Sequence, residues 1–321
     1  MQKNIKKGTR TKVLFIVILL LAVSAGISIG YYQPFKKDQQ PVPISLDEKS
    51  ADIDKCVAEQ VEEGKMSKEE IEKSDITEVV TKAPEVKPSV DYSNLYPNLY
   101  VTRPSKQFSP QKTAFLTFDD GPSDRTAEVL DILKQNKIKA TFFVIGNTSQ
   151  KGKELMRRIV AEGHAIAPHT YTHKLKQIYA SVESFLEDFN SIYNLIYETT
   201  GQKPGIFRFA GGSKNGFNKG NFREIISEMR RRGFDYFDWN ISSGDAMQKA
   251  LTPTQTCMAN VVKNSALRNN VVVLMHDAKA KTTTVQALPS IIEGLKNQGF
   301  KFNRLSHDIF PEPYSLIKPY V

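Results

Sequence analysis

The chain has 321 residues, with 44 Lys and Arg against 35 Asp and Glu, a net charge of +9 and a 40% hydrophobic share. That apolar share excludes wholesale disorder, and two cysteines exclude a disulfide-stapled mini-domain, a Cys-rich zinc module and an iron–sulfur protein. The charge is blocked: 7 basic and 1 acidic residues over 1–40, 7 and 13 over 41–90, then 30 and 21 over 91–321, spread along the chain apart from Arg230, Arg231 and Arg232. With no RNP-like aromatic motif or helix-turn-helix signature beside that run, nucleic acid is not an expected partner.

Lys3, Lys6, Lys7, Arg10 and Lys12 precede an uncharged run over 13–30. As a helix these 18 residues span about 27 Å, close to a bilayer core of about 30 Å. The basic flank stays on the cytoplasmic side, which sends the rest of the chain outside. Residues 1–12 are thus expected as a cytoplasmic flank and 13–32 as a single-pass anchor in the cell membrane, ending at the aromatic pair Tyr31 and Tyr32. The alternative is a signal segment cleaved near Val23-Ser24-Ala25, which makes the protein secreted.

Residues 33–110 read as an acidic, partly helical stalk. Pro41 and Pro43 open it, and Pro84, Pro88, Pro97 and Pro104 close it. Ser45 with Glu48 and Ser67 with Glu70 fit capping boxes, and Leu46, Ile53, Val57 and Val61 share one helical face. The tandem Asn94-Leu95-Tyr96 and Asn98-Leu99-Tyr100 is expected to pack against the next domain. An exported compartment permits a disulfide between Cys56 and Cys257, but two free thiols are the expectation.

Residues 111–310 alternate strand and helix, before a short tail over 311–321. Strands are predicted over 114–118, 140–145, 164–167, 206–209, 236–239, 271–275 and 301–305. Helices are predicted over 126–135, 153–162, 182–199, 222–231, 254–265 and 285–297. This is an α/β pattern with a parallel sheet buried on both faces, open or closed into a barrel. Such folds carry their chemistry at strand C-terminal ends.

Five of the seven predicted strands run into polar or ionisable groups. The first runs into Thr117-Phe118-Asp119-Asp120-Gly121-Pro122 and the third into His169-Thr170-Tyr171-Thr172-His173, whose two imidazoles share a face if the segment is helical. Then come Arg208-Phe209-Ala210-Gly211-Gly212, Trp239 with Ser242-Ser243-Gly244-Asp245, and Leu274-Met275-His276-Asp277. Two His and one carboxylate make a three-ligand site with an open position, the pattern of a catalytic divalent metal. A second carboxylate could take a proton from water, a third His could protonate a leaving group, and glycine N–H groups could hold an oxyanion. That set describes hydrolysis at an acyl carbon. His164 is expected to make a structural hydrogen bond and His307 to lie in a surface loop. Asp238 and Asp277 are each a candidate support for a neighbouring group.

These blocks, in this order, resemble the polysaccharide deacetylase family with the NodB homology domain, carbohydrate esterase family 4. The resemblance covers about 110–305. It implies a distorted, incomplete (β/α) barrel of seven or eight strands and metal-dependent removal of N-acetyl, sometimes O-acetyl, groups from glycans. It implies Asp119 as general base, Asp120, His169 and His173 as metal ligands, and His276 as general acid. Arg208 would position the base and Asp245 would tune the acid. Leu274 would line the acetyl pocket, and Gly211, Gly212 and Trp239 would meet the substrate. The ion implied is zinc, with cobalt, nickel or manganese as alternatives. The substrate expected of a tethered, exported member is a cell-envelope glycan, foremost peptidoglycan N-acetylglucosamine, with N-acetylmuramic acid, a secreted poly-N-acetylglucosamine and chitin oligomers also open and no protein partner inferred. A glycan-binding surface protein without turnover and an O-acetyl esterase are the competing functions. Ala210 and Gly211 stand where the family pattern has Pro and commonly Tyr, and Ala246 where it often has Trp.

Overall fold

The computed structural model describes residues 90–109, 112–246 and 251–311. The expected membrane segment at 13–32, Cys56, most of the stalk and the tail from 312 lie outside the described residues. Among the described residues, no helix is long and apolar enough to cross a membrane.

In chain order the core is β2 (Thr113–Gly121), α1 (Asp124–Gln135), β3 (Thr141–Ile145), α2 (Gln150–Ala161), β4 (Ala165–Thr170), a single turn α3 (Leu175–Ile178) and α4 (Val182–Thr200). It continues with β5 (Ile206–Phe207), α5 (Phe222–Arg231), β6 (Asp235–Tyr236), β7 (Ile241–Ser242), α6 (Thr254–Ser265), β8 (Asn270–His276), α7 (Thr282–Asn297) and β9 (Lys301–Asn303). Three helices start where a side chain replaces the missing backbone acceptor: Ser123, Ser149 and Ser181 each accept a backbone N–H from the first turn of α1, α2 and α4. Gly201, left-handed at φ 72°, ends α4.

All strand pairs are parallel, in the order β4-β3-β2-β8-β7, with β9 beside the first residues of β2. A second pair, β5 with β6, joins through the Arg208 N–H, which donates to the Pro168 carbonyl of β4 at 3.1 Å. The strands curve round one interior. Phe115, Phe143, Ala167, Ile206, Phe237, Val272 and Leu305 form its buried cluster. Alternate residues of β2 and β8 (Ala114, Leu116 and Phe118; Val271, Val273 and Met275) pack outward under the helices. Parity thus puts Asp119 on the Phe115 side of β2, and Leu274 and His276 on the Val272 side of β8.

Two short strands, β1 (Gln107–Phe108) and β10 (Ile309–Phe310), pair outside the main sheet. Residues 91–108 lie on the same compact unit as the core. Tyr92 and Leu99 are buried. The fully buried Arg232 guanidinium donates to the carbonyls of Tyr92, Leu95, Tyr96 and Leu99 at 2.7–3.4 Å, and to Glu228 at 2.6 Å. The tandem Asn-Leu-Tyr segment therefore packs against the domain, and one residue of the arginine run is its clasp rather than an exposed charge.

Candidate active site

The register of the central ladder makes the first contact. β2 and β8 run side by side with Asp119 opposite His276 and Thr117 opposite Leu274. One carboxylate and one imidazole from segments 157 residues apart thus become neighbours at the mouth of the sheet. His169 comes from the end of β4, on the same inward side as Ala167.

Asp120 leaves the ladder in the left-handed region, φ 72°, and the β2–β3 register shifts there. That turn swings its carboxylate across the strand end. Asp120 Oδ1 lies 3.2 Å from His173 Nε2 and 3.5 Å from His169 Nε2. The three ligand atoms fall within 4.8 Å of one another. Ligands about 2.0–2.1 Å from a tetrahedral ion stand about 3.3 Å apart, close to the two short separations found. Asp120 Oδ1 is buried and has no well-directed hydrogen bond. A buried acceptor without a donor is the state a cation resolves. The His169 Nδ1 lies 3.0 Å from the Arg208 carbonyl, which can only accept, so Nδ1 carries the proton and Nε2 presents its lone pair. The residues fit a divalent ion.

The two imidazoles do not share a helix face. His169 ends a strand, and His173 sits in the following loop with φ 55°. The spacing works because the chain reverses, not because it coils. Burial holds the His169 pKa down, which keeps that ring neutral. The Asp120 carboxylate, 3.2 Å from its Nε2, raises the pKa of His173. Burial pushes the Asp120 pKa up, but the two histidines outweigh it and hold it well below the carboxylate range.

Arg208 is fully buried, and all three of its guanidinium nitrogens donate. Its Nη1 donates to Asp119 Oδ1 at 2.9 Å and Thr117 Oγ1 at 2.7 Å, its Nε to the Phe237 carbonyl and its Nη2 to the Asp238 carbonyl. The guanidinium lies 4.2 Å from the Phe143 ring centroid. Asp119 is thereby held by one oxygen, while Oδ2 faces the metal cluster, 4.0 Å from His169 Nε2. On the other side, Asp245 Oδ1 meets His276 Nδ1 at 2.8 Å, and its Oδ2 accepts from the His276 N–H and Thr284 Oγ1. Burial lowers the His276 pKa, but Asp245, with Asp119 and Asp120 behind it, raises it to about 9.

Gly211 and Gly212 both have positive φ, 78° and 83°. The Gly212 N–H is already occupied by the Phe209 carbonyl, and a Cβ there would lie 3.0 Å from the Trp239 ring. Gly212 is a seat for Trp239 rather than a free donor; Gly211 is the exposed one. Trp239 is half-buried against the Gly212 backbone, and Leu274 is nearly buried between Val272 and His276. Beside Asp120 opens a cleft of about 400 Å³ lined by Pro122, Asn147, Lys151, Leu155 and Lys279.

Supports for the site were less visible in the sequence. Asp277 does not orient His276. It is buried beneath Gly121, bonded to Thr126 Oγ1 at 2.5 Å, and burial raises its pKa to about 7. Asp238 accepts from the Ser213 N–H and hydroxyl, which fixes the glycine loop. Asp188, from α4, holds the loop before His173. His164 Nδ1 accepts the Ala140 N–H, the structural role expected. His307 departs from a free surface loop: its Nε2 lies 3.1 Å from Asp235. Cys257 is a free, buried thiol.

Known proteins carry the same pattern. The family profile described as Polysaccharide deacetylase matches residues 106–235. The peptidoglycan-N-acetylglucosamine deacetylase of Bacillus cereus is 31% identical over 294 residues, 91% of each chain. A putative polysaccharide deacetylase of Bacillus subtilis, YheN, is 34% identical over 70% of this chain and 78% of its own. The catalytic domain of a peptidoglycan N-acetylglucosamine deacetylase from Eubacterium rectale superposes with a TM-score of 0.60 at 34% identity, covering 63% of this chain and 92% of that one. With a relative matched along nine-tenths of both chains and a solved fold matched over the same site-bearing region, this chain belongs to the polysaccharide deacetylase family.

Proposed function

We propose that this protein hydrolyses the N-acetyl groups of N-acetylglucosamine in peptidoglycan, and that residues 13–32 tether it in the cell membrane with the catalytic domain outside. The substrate reading is supported by the Bacillus cereus and Eubacterium rectale relatives, both named for that reaction. We read the curved parallel sheet as the distorted, incomplete (β/α) barrel of the family.

The observation that carries the mechanism is the juxtaposition of Asp119 and His276 across one ladder, with Asp120, His169 and His173 clustered beside Asp119 at its mouth. Asp120, His169 and His173 would hold a divalent ion, zinc first, with cobalt, nickel or manganese as alternatives. When bound, that ion polarises the acetyl carbonyl and acidifies a water molecule. Asp119, anchored by Arg208 at Oδ1, takes the water's proton at Oδ2. The exposed Gly211 N–H is the donor available to the carbonyl oxygen as it gains charge. His276, whose Nδ1 is engaged by Asp245, delivers its proton from Nε2 to the departing amine nitrogen. The C–N bond breaks, giving acetate and a free glucosamine amine. Leu274 and Trp239 supply the apolar surface for the acetyl methyl and the sugar.

The test is acetate release by the full-length protein from peptidoglycan and N-acetylglucosamine oligomers, with zinc, with chelator and with Asp119→Asn. Release that disappears on chelation and in the variant is expected. Stoichiometric metal with no release from any N-acetylated glycan refutes the reading, and release from O-acetylated glycans alone makes it an esterase.

A further inference from the structure

The three ligands differ in how the fold holds them. Asp120 and His169 belong to strands paired in the central sheet. His173 does not: it lies beyond the end of β4, its side chain 39% exposed, on left-handed backbone. A ligand on a loop must be ordered before it can contribute, and a loose loop loses that ordering entropy at the moment of binding.

One carboxylate supplies the order. Asp188 is the only acid among the buried residues of α4, surrounded in sequence by Phe185, Leu186, Phe189 and Ile192. Its Oδ2 accepts the Thr170 hydroxyl at 2.6 Å and the Tyr171 N–H at 2.7 Å. Its Oδ1 accepts the Thr172 N–H at 2.9 Å and the Thr172 hydroxyl at 2.7 Å. A carboxylate has about four acceptor positions, and three consecutive loop residues fill four. Thr170 Oγ1 then accepts the His173 N–H at 3.2 Å, which completes a chain from the helix to the ligand's own backbone. Among the described residues no ion pair to a basic side chain is found at Asp188, and its four hydrogen bonds all come from residues 170–172.

We propose that Asp188 is a positioning residue for the metal centre, holding the 170–172 loop so that His173 is presented to the ion already placed. This rests on the reading of Asp120, His169 and His173 as ligands. An amide at 188 offers one acceptor atom, so Asp188→Asn must turn an N–H₂ group towards either the Tyr171 or the Thr172 N–H. Thr172 is exposed, so Thr172→Ala removes one hydroxyl donor at little risk to folding.

The experiment measures zinc Kd by competition with a chromogenic chelator, on the full-length protein and both variants, with thermal melts of the metal-free forms. The expected result is zinc binding weakened about 10–100-fold in Asp188→Asn, the range for supports of metal ligands, and by a smaller factor in Thr172→Ala. The stabilisation that zinc adds to the melt shrinks in step. Folded variants that bind zinc within twofold of the parent, with only the metal-free melt lowered, overturn the proposal and leave Asp188 a purely structural group. If Asp188→Asn does not fold, Thr172→Ala decides alone by the same criterion. A parent that binds no zinc refutes the ligand reading instead.

Discussion

Replacing Asp245 by Asn tests the acid side of the site with one atom changed. Asp245 presents two oxygens to three donors: His276 Nδ1, the His276 N–H and Thr284 Oγ1, each at 2.8 Å. An amide has one oxygen. Turned towards the backbone N–H and Thr284, it keeps two of the bonds but points its N–H₂ at His276 Nδ1. That nitrogen must then accept, which places the ring proton on Nε2 in the neutral ring and disfavours the doubly protonated form. The imidazole pKa, raised to about 9 beside the carboxylate, falls back towards the ordinary value of 6.5. That gap corresponds to about 3 kcal/mol at about 1.4 kcal/mol per pH unit. The sign follows: the acid must be protonated to act, so the alkaline limb of kcat/KM moves to lower pH, by about 1–2 units. The rate at the optimum falls by up to about 10⁴-fold, the loss seen when the carboxylate supporting a catalytic histidine is turned into an amide. The assay is acetate release on an N-acetylglucosamine oligomer from pH 5 to 10, with zinc content checked at each pH. A variant that keeps kcat/KM within a few-fold and an unmoved alkaline limb refutes the role of Asp245 and the assignment of His276 as the acid.

Arg208→Met leaves Asp119 buried without its cation, so urea unfolding should show a loss of about 3–5 kcal/mol together with loss of acetate release; full stability would refute the account of Arg208. Zinc binding near neutral pH should release a proton, because His173 holds one more firmly than an ordinary histidine through Asp120 while His169 does not; calorimetry in buffers of different ionisation enthalpy reads it, and affinity should fall as pH drops. Gly212→Ala must fit a Cβ at φ 83° and 3.0 Å from Trp239, which should cost about 1–3 kcal/mol and lower kcat/KM through the Gly211 loop; urea unfolding and acetate release check both. Arg232→Met removes the donors to four carbonyls of the 92–99 segment, and limited proteolysis should then cut at 90–101 while the core survives.

The sequence was most legible where chemistry is local. The Asp119-Asp120 pair, the two histidines, Arg208, Asp245 and His276 stand at strand ends because apolar runs stop there, and a buried strand that stops at an ionisable group announces itself. Their pairing was not legible from the residues themselves. Nothing in 117–122 says that Asp119 faces His276; the parallel register of β2 and β8 does. Of the two-residue strands, β5 and β6 fall at the predicted runs 206–209 and 236–239, whereas β7 was not predicted, since pairing with β8 makes it rather than β propensity.

His169 and His173 show why spacing alone misleads. An i, i+4 pair reads as a helix face, yet Pro168 precedes His169, and its carbonyl is engaged by the Arg208 N–H, so the segment is a strand to Thr170. A strand holds residues four apart on one side but about 13 Å apart along the chain, too far to share an ion. Only a reversal between them brings the rings to 5.7 Å centroid separation, and a reversal that tight leaves the N–H groups of Tyr171 and Thr172 unpaired by any sheet. The acid that receives them lies on another element, at a helix position where periodicity asks for an apolar side chain. Asp188 was therefore visible only as a defect in the hydrophobic face of 182–199. The catalytic residues could be found by asking what a reaction needs; their supports have to be found by asking which backbone donors the reaction geometry strands.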